Sequence, residues 1–81
     1  MDYLRKIDTI IEILSINNMD FEIEKIKNLR QSSFTSTELL LSVGYELNRM
    51  IKNPVIKSII GNEVKDLIRY CERIGLYIDK V

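Results

Sequence analysis

Apolar residues recur at helical spacing through almost the whole chain, and each run is closed by residues that start or stop helices. From Asp2 to Ile16, Leu4, Ile7, Ile11 and Leu14 repeat at three and four positions. Ile10 and Ile13 widen the stripe, while Arg5, Asp8, Thr9, Glu12 and Ser15 fill the other side. This pattern dictates an amphipathic helix about 22 Å long at 1.5 Å per residue. Asn17-Asn18 follows, and Asn tolerates the left-handed conformation that ends helices, so the chain turns there. Asp20 then reads as the N-cap of a second helix that buries Phe21, Ile26 and Leu29, with Ile23 at the margin.

The strongest local signal is Phe34-Thr35-Ser36-Thr37-Glu38-Leu39. Thr35 followed three residues later by Glu38 fits a capping box, and Phe34 is placed to pack on Leu39 as a hydrophobic staple. The helix that starts here turns Leu40, Val43, Leu47, Met50 and Ile51 inward. Gly44 in its middle costs about 1 kcal/mol against Ala unless the missing Cβ permits a close crossing. Asn53-Pro54 ends it, because Pro disfavours the helical conformation of the residue before it and suits the first position of the next helix. Val55, Ile56, Ile59 and Ile60 then predict a short helix closed by Gly61, with a loop over residues 54–60 as the alternative. Asn62 caps a last helix bearing Val64, Leu67, Ile68, Cys71 and Ile74, which Gly75 terminates, and Leu76-Tyr77-Ile78 folds back on the core. The expected architecture is all-α: a single domain over residues 1–81, built as a compact bundle of four to five short amphipathic helices.

Size and charge narrow the classes. Eighty-one residues at 46% apolar content sit near the length where one core only just offsets chain entropy, so stability is expected to be modest. Twelve basic and twelve acidic residues leave no net charge, which argues against the strong phosphate attraction of a dedicated nucleic-acid coat protein. One Cys forms no internal disulfide, and the N-terminal Ile-rich stretch is broken by Asp8 and Glu12, so a cytoplasmic location without a signal peptide is expected. The charge-free run from Leu39 to Tyr45 is far shorter than the ~20 residues of a membrane span. The absence of Ala beside fourteen Ile and six Asn hints at an AT-rich bacterial or phage genome.

Chemistry has few places to live. The chain holds no His and no Trp. Cys71 lies in the apolar stripe of the last helix, where a thiol is an inert core residue rather than a nucleophile. Glu63 and Asp66 share a helical face, yet acids are expected at a helix start for dipole reasons, and no ligand set has metal-site spacing. No enzyme, cofactor or metal site is expected.

Binding surfaces are better represented. Lys65, Arg69 and Arg73 recur every four residues as a basic ridge, diluted by Asp66, Tyr70 and Glu72 and open to intrahelical pairing such as Asp66 with Arg69. Asp8, Glu12, Asp20, Glu22 and Glu24 concentrate negative charge on the first helical hairpin, offset by Lys25 and Lys27, and suit a basic partner. Tyr45 and Tyr70 are the tyrosines expected at the surface, where such rings anchor interfaces. A nucleic-acid reading takes Leu40 to Gly44 to Met50 as a helix-turn-helix with Asn48, Arg49, Lys52 and Asn53 as contacts. The stretch reads more simply as one continuous helix.

In size, helix content and lack of catalytic residues the whole chain resembles the small helical immunity proteins of contact-dependent growth inhibition and colicin-type toxin systems. Locally the resemblance rests on Phe34-Thr35-Ser36-Thr37-Glu38-Leu39-Leu40-Leu41 and Arg69-Tyr70-Cys71-Glu72-Arg73-Ile74-Gly75-Leu76-Tyr77. It implies a protein partner, a cognate toxin domain occluded by a rigid helical surface, and a monomer or homodimer in solution, with no membrane and with nucleic acid disfavoured. One departure is the neutral charge, since many nuclease inhibitors of this kind are strongly acidic. The alternatives are a helix-turn-helix regulator and a homo-oligomeric adaptor that buries residues such as Ile13, Ile23 or Leu41.

Overall fold

The computed structural model describes residues 1–78. Four helices run in sequence: α1 (Tyr3–Ile16), α2 (Asp20–Ser32), α3 (Ser36–Met50) and α4 (Pro54–Arg73). Each packs on its chain neighbours, and α1 also packs on α4, so the four close into a square whose sides are these four helix pairs. Twenty residues of α4 rise about 30 Å, which matches the 32 Å long axis of the molecule and places the helices along it. Connections of three residues reverse the chain each time, giving up-down-up-down order. Accordingly Tyr3 at the start of α1 meets Ser36 at the start of α3 and Tyr70 near the end of α4, all at one end of the bundle.

Local chemistry explains the helix ends. Asp2 caps α1 by accepting from the Arg5 amide, and Asn53 caps α4 by accepting from the Val55 amide ahead of Pro54. α1 closes on Asn18 at φ 58°, with the Met19 amide donating to Leu14 O and the Asn18 amide to Ser15 O. α4 closes the same way on Gly75 at φ 85°, through Leu76 N–H to Cys71 O and Gly75 N–H to Glu72 O. Both are Schellman ends, with their orphan carbonyls satisfied. α2 begins one residue earlier than the sequence suggests: Asp20 lies in its first turn, and Met19 is the cap residue, with no side-chain bond.

Gly61 does not end a helix, and Asn62 does not start one. Ile56, Ile60, Val64, Leu67 and Cys71 all face the core, with spacings of four, four, three and four that keep phase straight through Gly61. The fifth helix is therefore absent and α4 is one element. Gly44 has the close approach that its missing Cβ allows: a Cβ there would stand 2.8 Å from Ile78 Cδ1, so the returning tail lies directly over α3.

The core is filled by Ile7, Ile10 and Leu14 of α1, Ile23 and Ile26 of α2, and Leu39, Leu40, Val43, Leu47 and Met50 of α3, together with the α4 stripe. No polar or charged residue is buried among the described residues. Phe21 departs from expectation at 70% exposed. At 100° per residue it lies on the far side of α2 from Ile23 and Ile26, and Lys25 one turn on sets its ammonium 4.8 Å from the ring centre. Val55 is exposed for the same reason of phase. No described helix is long and apolar enough to cross a membrane.

Candidate functional site

The charged side chains suggested by sequence are dispersed over the bundle, and two of them are taken up by its own ion pairs. Asp8 pairs with Arg30 across the α1–α2 seam. Glu12 and Glu24 are exposed, Asp20 sits in the first turn of α2, and Glu22 faces the opposite side of that helix, in a groove beside Arg49 and Met50 of α3. The five carboxylates therefore form no single acidic patch. Glu63 and Asp66, weighed above as an acid–base pair, both receive the ammonium of Lys6, at 2.9 and 3.4 Å, and hold its pKa above the ordinary lysine value chiefly through the Glu63 hydrogen bond. Glu46 takes Arg49 at 2.6 Å and Lys25 at 3.5 Å, and the Arg49 hydrogen bond is the main cause holding its carboxyl below the usual range.

The basic ridge also separates. Each i, i+4 step advances about 40° around the helix, so Lys65 faces α3 while Arg69 and Arg73 turn progressively away. Arg69 pairs with Asp66 at 3.8 Å, the intrahelical pairing anticipated above, and Arg73 is exposed in the last turn. Tyr45 is 41% exposed on the outer face of α3. Tyr70 is not a free surface ring: it is half-buried and stacks on Tyr3 at 6.0 Å between centroids, because the closed square brings the first turn of α1 against the end of α4. Cys71 is fully buried, and desolvation pushes its thiol pKa up, away from nucleophile chemistry. The residues from Leu40 to Met50 form one uninterrupted helix, so no helix-turn-helix turn exists at Gly44.

Two features of α3 stand out instead. The first is Phe34, which is 94% exposed and does not staple onto Leu39, itself turned into the core. The Ser33 backbone is extended, which carries Phe34 away from the bundle, and the Glu38 carboxylate accepts from the Phe34 amide while Thr35 Oγ1 accepts from the Glu38 amide. The capping box thus holds Phe34 itself in place. Ser33 begins a groove of about 620 Å³ between α2 and α3, whose walls include Leu29, Leu41, Ser42 and Tyr45. Sequence reasoning treated Phe34 as a staple, and only the direction of the chain at Ser33 distinguishes the two fates.

The second is a cleft of about 630 Å³ on the other side of α3, against α4. Lys52, Lys57 and Lys65 line it around Ile51, Ile68 and Ile78. Lys57 and Lys65 lie about two turns apart on α4, and both reach this cleft because α4 runs unbroken through Gly61.

No cluster of His, Cys, Asp or Glu suited to a metal occurs among the described residues. Comparison with protein families, with curated proteins and with solved structures returns no match for this chain.

Proposed function

We propose that this chain is a non-catalytic protein-binding module, an immunity protein that neutralises a cognate bacterial toxin by covering its active or target-binding surface. The observation that carries the reading is Phe34. Leaving a Phe side chain in water forgoes about 1.5–3 kcal/mol of burial, and here the backbone is pinned so that the ring stays out, while Leu41 and Tyr45 of the helix that follows are also exposed. Aromatic anchors on a preorganised surface are what protein interfaces use, because little entropy is lost when they are buried against a partner. The wholly apolar interior and the internally paired charges support the same reading, since they give a rigid body whose outer face of α3 is left for contact. A homo-oligomeric adaptor would use the same face for a second copy of itself.

The test is co-expression. The C-terminal domain of the neighbouring upstream reading frame is expressed in a test bacterium with and without this chain, and growth is followed. Toxicity relieved only in the presence of this protein supports the proposal. A toxic neighbour that is not relieved, or a harmless one, overturns the immunity reading, and a constitutive dimer by solution mass then favours the adaptor.

A further inference from the structure

We propose that the α3–α4 cleft is a docking site for an acidic extended peptide segment with alternating apolar side chains, presented by the protein partner. This deepens the protein-binding reading above and rests on it. Lys6, Lys25, Arg30, Arg49 and Arg69 are each satisfied by a carboxylate of this chain. Lys52, Lys57 and Lys65 make no ion pair among the described residues, and all three converge on one cleft. With them the cleft is lined by Ile51, Ile68 and Ile78, each half-buried.

The shape selects the ligand class. The lining runs from Pro54 to Glu72 along α4, a rise of about 27 Å, which about eight extended residues span at 3.3 Å each. A compact metabolite would touch only part of it. The isoleucine floor suits alternate apolar side chains of a strand-like peptide while carboxylates on the other side reach the lysine rim. A nucleic-acid backbone gains nothing from that floor, whereas a peptide seats apolar side chains on it and places its carboxylates toward the lysines, away from Glu72 at the far end.

The experiment uses the full chain and an acetylated, amidated octapeptide of alternating Glu and Leu, with the Lys-Leu counterpart and a short DNA duplex as comparisons. Binding is followed by backbone amide shifts in an NMR titration at low salt. Saturable Glu-Leu binding with shifts at Ile51, Lys52, Lys57, Lys65 and Ile68 is expected. The K52Q/K57Q/K65Q variant, which replaces exposed side chains that make no ion pair among the described residues and whose fold is checked by circular dichroism, should bind about tenfold more weakly or worse. Absence of saturable binding, shifts centred on Phe34 and Tyr45, unchanged affinity in the triple variant, or tighter binding of the duplex at the same residues each overturns the proposal. The peptide titration needs no toxin, so a failed growth rescue and an empty cleft are separate results.

Discussion

Gly61→Ala tests whether α4 is one helix or two, because the two arrangements give opposite signs. In a continuous helix, replacing an interior Gly by Ala contributes about 1 kcal/mol, from reduced backbone entropy in the unfolded chain. The added Cβ meets a single neighbour, Lys57 Cγ at 3.3 Å. That methylene belongs to an exposed, flexible stem and needs to move only a few tenths of an ångström. A net gain of about 0.5 kcal/mol or more remains, which for a domain of this size raises Tm by about 2–4 °C. If Gly61 instead closed a short helix in the left-handed conformation, Ala would cost about 1–2 kcal/mol and lower Tm by several degrees. Thermal unfolding followed by circular dichroism at 222 nm, with urea titration as a second measure, reads the sign directly. A fall in Tm for Gly61→Ala would refute the continuous α4 and with it the alignment of Lys57 and Lys65 along one cleft.

The other glycines and three side chains give further checks. Gly75→Ala should destabilise by about 1–2 kcal/mol in the same assay, since Gly75 sits at φ 85° in a Schellman end. Gly44→Ala should be stabilising only in the Ile78→Ala background, because the added Cβ would stand 2.8 Å from Ile78 Cδ1 and that clash offsets the helical gain; additivity in the double-mutant cycle would contradict the packing of the tail on α3. Glu46 has a folded pKa below its ordinary value of 4.5, so its contribution is fully present above that pH and is lost as pH falls through the folded value. The stability gap between wild type and Glu46→Gln should therefore shrink through that acid range, and a pH-independent gap would count against the Arg49 and Lys25 contacts. Cys71 should react with a thiol reagent only on unfolding, so rapid labelling of the native protein would contradict its buried, raised-pKa setting.

What the sequence made legible was the chemistry that acts within a few residues. Asn18, Thr35, Asn53 and Gly75 punctuate the helices because capping oxygens and left-handed residues work over one turn, and the structure places them as that logic requires. Gly61 misled because glycine is ambiguous between a stop and a tolerated interior residue; the unbroken phase from Ile56 to Cys71 was the stronger signal. Phe21 was assigned inward as a large apolar residue, although its angular position around α2 opposes Ile23 and Ile26. The remaining features depend on contacts between helices. The Tyr3–Tyr70 stack, the capture of Glu63 and Asp66 by Lys6, and the cleft that gathers Lys52 with Lys57 and Lys65 exist only once the square has closed, and no local spacing encodes them.

The proposed role stands or falls most directly on the outer face of α3. Growth rescue by wild type should be compared with rescue by a Phe34→Ala/Tyr45→Ala variant, with both proteins shown to be folded to the same extent; neither side chain belongs to the buried core. Truncating two aromatic anchors at the centre of an interface removes about 2 kcal/mol or more each. Toxicity that returns with the folded double variant, at expression levels matched to wild type, is the expected result. Full protection by that variant would show that the toxin is bound elsewhere, and would contradict Phe34 as the anchor.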